Sequence, residues 1–293
     1  MSVEGIRAEP AGTAPEGDAT VGGCPTCQAH HSPAASPRPF VYALGQIELR
    51  FPNQGVEKEL AQSISRADTA GLTDRQALST VLNLSENRYL ARQVCYVFTV
   101  QGVDAYILAP RDPADYALLA EAVRPDQQAT ALDCIIGVRG AVDPPEPCGG
   151  LSLPVVTVDQ VYSFAVSDLL GAIEKPESMA GEAFDRAAED LLRTVIRVSG
   201  NAGATDKDRA LTYLLVRYSG IYQTTFQRSM DGFSLSAIDV RPSAVDGSRR
   251  VMDVVLSYTS RSNDVTEKQF VSVDVTDEFP FRRHGISDYC DHH

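Results

Sequence analysis

An α+β fold is predicted from three features of the sequence. Short apolar runs rich in β-branched and aromatic residues recur between 40 and 164, separated by stretches with three- and four-residue apolar spacing. Two long amphipathic stretches then follow one another over 179–228. After them come three alternating runs with only turn residues between them. The expected architecture is mixed and antiparallel sheets, a long antiparallel helix pair and a C-terminal three-stranded meander.

Order is expected to begin at PFVYALGQIELRF (39–51), where Val41, Ala43, Gly45 and Ile47 alternate with Tyr42, Leu44 and Gln46 as in a strand. In VEKELAQSISRA, Val56, Leu60, Ile64 and Ala67 recur at helical steps. Thr73, with Gln76 three residues on, is a capping-box start for a second helix through Leu78, Val81 and Leu82. RQVCYVFTVQGVDAYILAPR (92–111) reads as a hairpin turning at Gln101-Gly102. Asp112-Pro113 opens a helix over DYALLAEAVR. ALDCIIGVRG (131–140) and LPVVTVDQVYSF (153–164) are buried strands joined through the loop DPPEPCGG (143–150).

MAGEAFDRAAEDLLRTVIRVSG places Phe184, Ala187, Ala188, Leu191, Leu192, Val195 and Ile196 on one helical face. Asn201-Ala202-Gly203 stops that helix, and Thr205 caps a second, DKDRALTYLLVRYSGIYQTTF. The meander comprises FSLSAIDVRP (233–242), RVMDVVLSYTSR (250–261) and KQFVSVDVTDEF (268–279), with turns at Asp246-Gly247 and Ser262-Asn263-Asp264. Three divisions are expected: a disordered tail at 1–39, an ordered region at 40–282 with a possible sub-boundary near 176, and a C-terminal tail at 283–293. The first is rich in Ala, Gly, Pro, Ser and Thr and cannot offset its ordering entropy by burial.

The 293 residues carry a net charge of −13, distributed unevenly. Between Asp104 and Asp190 there are 16 acidic and 5 basic side chains. Such a middle repels phosphate backbones, so nucleic acid is not an expected partner. The longest apolar runs stop well short of the ~20 residues of a membrane span. No apolar segment of secretory type opens the chain, so a cytoplasmic setting is expected and the six cysteines read as reduced thiols.

Residues 24–31, CPTCQAHH, hold the densest group of soft ligands. Cys24 and Cys27 are spaced as half of a tetrahedral zinc site. His30, His31, a Cys148 expected to be exposed, Cys290 and His292 are candidates for the remaining ligands, within one chain or across a dimer. Cys95 and Cys134 lie in apolar strand runs and read as inert core. All five histidines lie at the chain's ends, so a Ser–His–Asp arrangement requires a tail to fold back and supply the base. Phosphate-loop, dinucleotide-loop and zinc-protease motifs are absent. Arg111, Asp112 and Arg139 flank strand ends, and Arg261, Asp264, Glu267, Lys268, Asp277 and Glu278 are expected at one end of the meander.

Four stretches, FVYALGQIELRFPNQGVEKELAQ, ENRYLARQVCYVFTVQGVDAYIL, NAGATDKDRALTYLLVRY and YTSRSNDVTEKQFVSVDVTDEFPF, carry a resemblance. Together they resemble the C-terminal domain of the PatG-type cyanobactin maturation proteases, over roughly 40–282. That resemblance implies an accessory domain connected with ribosomally made, post-translationally modified peptides. It does not carry over protease activity, because no protease domain and no core histidine are present. The expected function is a non-catalytic protein that binds a precursor peptide or a peptide-modifying enzyme. The alternative readings are a zinc-dependent enzyme with a site built from the tails, or a zinc-stabilised homodimer.

Overall fold

The structure is a computed structural model, and it describes residues 39–124, 131–142, 148–165, 167, 181–199, 202–244 and 247–290. Residues 1–38 of the expected tail at 1–39, the sub-boundary near 176 and the Asp246 turn position lie outside the described residues. Ten strands and seven α-helices are described, with mixed pairing in one sheet and a meander in the other, which is the α+β architecture expected.

Five strands close a barrel: β1 (Phe40–Arg50), β2 (Cys95–Val100), β3 (Val103–Pro110), β4 (Ala131–Val142) and β5 (Pro154–Ala165). Their order is β1-β2-β3-β5-β4, with β4 returning to β1 and only β3–β5 parallel. This is the strand order of an OB-type Greek-key barrel. β1 serves two neighbours: Phe40–Gly45 pair with β4 and Gln46–Arg50 with β2. The change of partner falls at Gly45, where a Cβ would lie 2.1 Å from the Thr99 carbonyl oxygen, so only glycine fits. The β2–β3 turn places Gln101 at φ 53° and Gly102 at φ 77°, the backbone a two-residue hairpin requires.

Helices close the barrel's ends. α1 (Gln54–Arg66) buries Val56 and Leu60, and α2 (Asp74–Leu82) starts at the expected box, with Thr73 and Gln76 each accepting the other's backbone N–H. α3 (Arg88–Ala91) and α4 (Tyr116–Ala122) follow, the latter after a turn capped by Asp112. Their apolar side chains join Val41, Ile47, Tyr96, Phe98, Leu108, Ile135 and Val156 in the barrel core.

A second core forms on the barrel's outer wall. Tyr42, Leu44, Cys134 and Ile136 point outward from β1 and β4 and meet α5 (Gly181–Ser199), α6 (Asp206–Arg217) and α7 (Gly220–Met230). Beyond them lies the sheet of β6 (Phe233–Pro242), β7 (Val251–Ser260) and β8 (Thr266–Asp274). α6 touches both β1 and β7 and so joins barrel to sheet. The second predicted helix is interrupted: Tyr218 leaves helical geometry at φ −126°, ψ 95°, and α7 restarts at Gly220. A Cβ on Gly220 would lie 2.4 Å from the Tyr218 ring, so this glycine lets the ring fold back.

The cysteine reading is corrected. Cys95 and Cys148 form a disulfide, and Cys148 is buried at 4% exposure instead of lying open as a ligand. Closing the barrel brings the first residue of β2 against the turn that precedes β5, a proximity 53 residues of separation conceal. Linking that loop is expected to add about 2–4 kcal/mol to stability. Urea unfolding of Cys95→Ser/Cys148→Ser, or of reduced wild type, should show a loss of that size; an unchanged midpoint would mean the bond is not formed in solution.

Candidate functional site

Ligands of OB-type barrels use the outer face of β2 and β3. Here that face is closed. Cys95, Val97 and Ile107 are buried on it, and Leu151, Leu153 and Val155 pack over the disulfide.

A groove lies on the outer face of the other sheet. Met252, Val254, Leu256 and Tyr258 of β7 face the second core, so Val251, Asp253 and Val255 face away. Cross-strand register sets Arg241, Asp253 and Ser272 in one row and Asp239, Val255 and Phe270 in the next. The chain then folds back on the free edge of β8. β9 (Phe281–Arg282) pairs with Val273–Asp274, and β10 (Ser287–Asp288) with Phe270–Gln269. Between this returning segment and the sheet runs a groove of ≈ 730 Å³, lined by Val251, Asp253, Phe270, Ser272, His284 and Tyr289 among others.

Three polar groups in the groove form a chain. His284 Nε2 lies 2.9 Å from Ser272 Oγ, and His284 Nδ1 lies 2.8 Å from the Gly285 carbonyl. Ser272 donates to Asp253 at 2.5 Å. The Ser272 hydroxyl thus links the His284 ring to the Asp253 carboxyl group. The expected condition for a triad is thus half met: a tail does return a histidine to a serine. The wiring differs, because the carboxylate binds the serine and not the imidazole, and Ser272 is buried. The arrangement ties the returning segment to β8 and β7. Aromatic contacts support it, with the Phe270 ring 5.2 Å from His284 and 5.5 Å from Tyr289, and the Arg241 guanidinium 4.4 Å over Tyr289.

The predicted ligands separate. Cys24, Cys27, His30, His31 and His292 lie outside the described residues. Cys148 is consumed by the disulfide, while Cys290 is free, exposed and on the groove. Among the described residues no group of three His, Cys, Asp or Glu side chains could hold a metal. Cys134 is buried, and burial pushes its thiol up to about 12, consistent with inert core. Sequence reasoning missed Asp253 and Ser272, whose only signal was their place on the wet face of a strand.

The charges assigned to one end of the meander occupy both ends. Glu267 pairs with Arg228 at the start of β8, while Asp277 meets Arg249 beyond its end, because β8 separates them. Glu278 lies beside Asp159 of β5, and Arg111 grips Asp159 through both carboxylate oxygens, so this carboxyl pair sits on a seam between barrel and sheet. Arg111 holds the Asp159 carboxyl below its usual range, whereas burial and then Asp159 push Glu278 up to about 7. The folded chain therefore keeps a proton on Glu278 that the unfolded chain loses above its ordinary value of 4.5. That stabilisation is fully present below pH 4.5 and is lost as pH rises through about 7. Unfolding followed between about pH 5 and about 8 should show wild type losing stability relative to Glu278→Gln. Parallel pH profiles would dismiss the proton kept on Glu278.

Comparison with known proteins agrees with this architecture. Residues 40–226 match the family model described as PatG Domain, and residues 178–289 match PatG C-terminal. A solved structure titled "PatG Domain of Unknown Function" superposes with a TM-score of 0.66 at 19% identity, covering 86% of this chain and 99% of that one. No curated protein matches. With most of its ordered length matched and its fold shared, the chain belongs to the PatG domain family.

Proposed function

We propose that this protein is a non-catalytic accessory in the maturation of ribosomally made, cyanobactin-like peptides, and that it binds a precursor peptide. The observation that supports this reading is the groove on the outer face of the C-terminal sheet. Its volume suits a short peptide segment, and its walls combine apolar Val251, Phe270 and Tyr289 with a few fixed polar groups. The strand edge beside it offers backbone hydrogen bonding, the usual means of holding extended peptides. A cytoplasmic setting and a homodimer belong to the same proposal, with a peptide-modifying enzyme as a further partner. Among the described residues no helix is long and apolar enough to cross a membrane.

Calorimetric titration of the full chain with the co-encoded precursor peptide is expected to show binding in the micromolar range. Phe270→Ala should weaken it at least tenfold with unchanged circular dichroism. Absence of binding to any co-encoded peptide or modifying enzyme would sink the reading. The zinc proposal for Cys24 and Cys27 is tested on the same untagged protein. About one bound zinc per chain or dimer, lost in Cys24→Ser/Cys27→Ser, supports it, and metal-free protein removes it.

A further inference from the structure

The two edges of β8 are treated differently. One pairs with β7 along the whole strand, from Thr266 to Asp274. The other is met by two residues of β9 and two of β10, with Arg283–Ile286 leaving the ladder between them. Arg283 N–H donates to the Ser272 carbonyl at 2.9 Å and Tyr289 N–H to the Lys268 carbonyl at 2.8 Å, so the returning segment follows β8 as a broken strand. A long edge with so partial a partner is a template for pairing with another chain.

The segment is held by backbone hydrogen bonds and by side chains that lie mostly at its surface, with Ile286 reaching the second core. Both β9 and β10 are exposed, and Phe281 is 45% open. Its side-chain attachments are His284 on Ser272, Tyr289 between Phe270 and Arg241, Phe281 beneath Arg249, Asp288 on Gln269, Arg282 over the Tyr218 ring and Ile286 against the edge of the second core. The Tyr213 and Tyr218 hydroxyls accept from the Arg282 and Ile286 N–H groups. Contacts of this kind are individually weak, so this element opens at far lower cost than the core strands beside it.

Its composition states what the edge prefers. Between two aromatic residues, Phe281 and Tyr289, stand Arg282, Arg283 and His284. They lie beside Asp253 of β7 and at the end of β8 where Asp274, held by Arg249, and the exposed Asp277 stand. Opposite charge and aromatic platforms favour a basic segment over an acidic one.

We propose that residues 281–290 are a strand in cis occupying a docking edge, and that β8 takes a basic, aromatic-bearing extended peptide in trans when this strand lifts. The proposal rests on the peptide-binding reading above, moves the site from the groove to the β8 edge that the returning segment covers, and names the peptide class and the built-in competitor.

The test uses full-length protein and a labelled synthetic peptide with the sequence of residues 280–289, PFRRHGISDY, followed by fluorescence anisotropy. Three forms are compared: wild type, the released form His284→Ala/Tyr289→Ala, and a locked form. The lock is Gln269→Cys/Asp288→Cys, facing positions in the ladder, oxidised in a Cys290→Ser background. The released form should bind at least tenfold tighter than wild type. The locked form should not bind, and the same peptide with both arginines replaced by glutamate should bind none of the three. Equal affinity across the three forms overturns the proposal. So does failure of the released form to bind while it keeps wild-type circular dichroism and melting. The precursor peptide is then titrated into the same forms. Binding to all three alike leaves the peptide-binding reading standing and removes the edge; binding to none removes both.

Discussion

Arg209 is 1% exposed, and the relation of the barrel to the C-terminal sheet depends on what its guanidinium touches. It stands on α6 and donates to the carbonyls of Val275, Asp277 and Glu278, where the chain leaves β8. It also lies 5.1 Å over the ring of Phe40, the first residue of the barrel, and 3.4 Å from Asp206. A buried cation needs its donors satisfied, because its lost hydration is otherwise uncompensated; here both terminal nitrogens of Arg209 are engaged while its Nε is buried without a hydrogen-bond partner. Burial lowers its proton affinity to about 10, which leaves it charged at neutral pH. Arg250 reinforces the joint by binding Asp206 and the Thr276 carbonyl. These contacts set the direction in which residues 276–280 leave the sheet, and hence where the returning strand lands.

Barrel closure has a consequence for where ligands can go. Pairing β1 with both β2 and β4 needs the close approach allowed by Gly45, and it turns Tyr42 and Leu44 outward to found the second core. The wall formed by β1 and β4 is therefore spent on internal packing. The wall formed by β2 and β3 is covered by Leu151 and Leu153, tied down through Cys95 and Cys148. Both of these walls are covered by described residues. The far side of the C-terminal sheet carries no helix among the described residues; the returning segment and the groove lie there.

The groove there shows how residue identity alone misleads about chemistry. Asp253, Ser272 and His284 are the residue types of a hydrolase, within hydrogen-bonding distance of one another. Their order along the chain of contacts differs from a triad's: the serine donates to the carboxylate, and the imidazole meets the serine with a backbone carbonyl, not a carboxylate, on its other nitrogen. What results is a polar clasp between strand and returning segment.

Local elements were legible in the sequence because their causes are local. Thr73 with Gln76, Thr205 with Asp208 and Asp112 before Pro113 satisfy orphan N–H groups within one turn. Gln101-Gly102 adopts the positive φ that a two-residue hairpin needs. The α+β class and the meander followed from periodicity, and the family from four recognisable stretches. Tertiary structure alone decided barrel closure, the Cys95–Cys148 bond, the break at Tyr218 and the meeting of His284 with Ser272. Each depends on which side chains a distant segment brings within a few ångströms, and a one-dimensional pattern records spacing along the chain, not that distance.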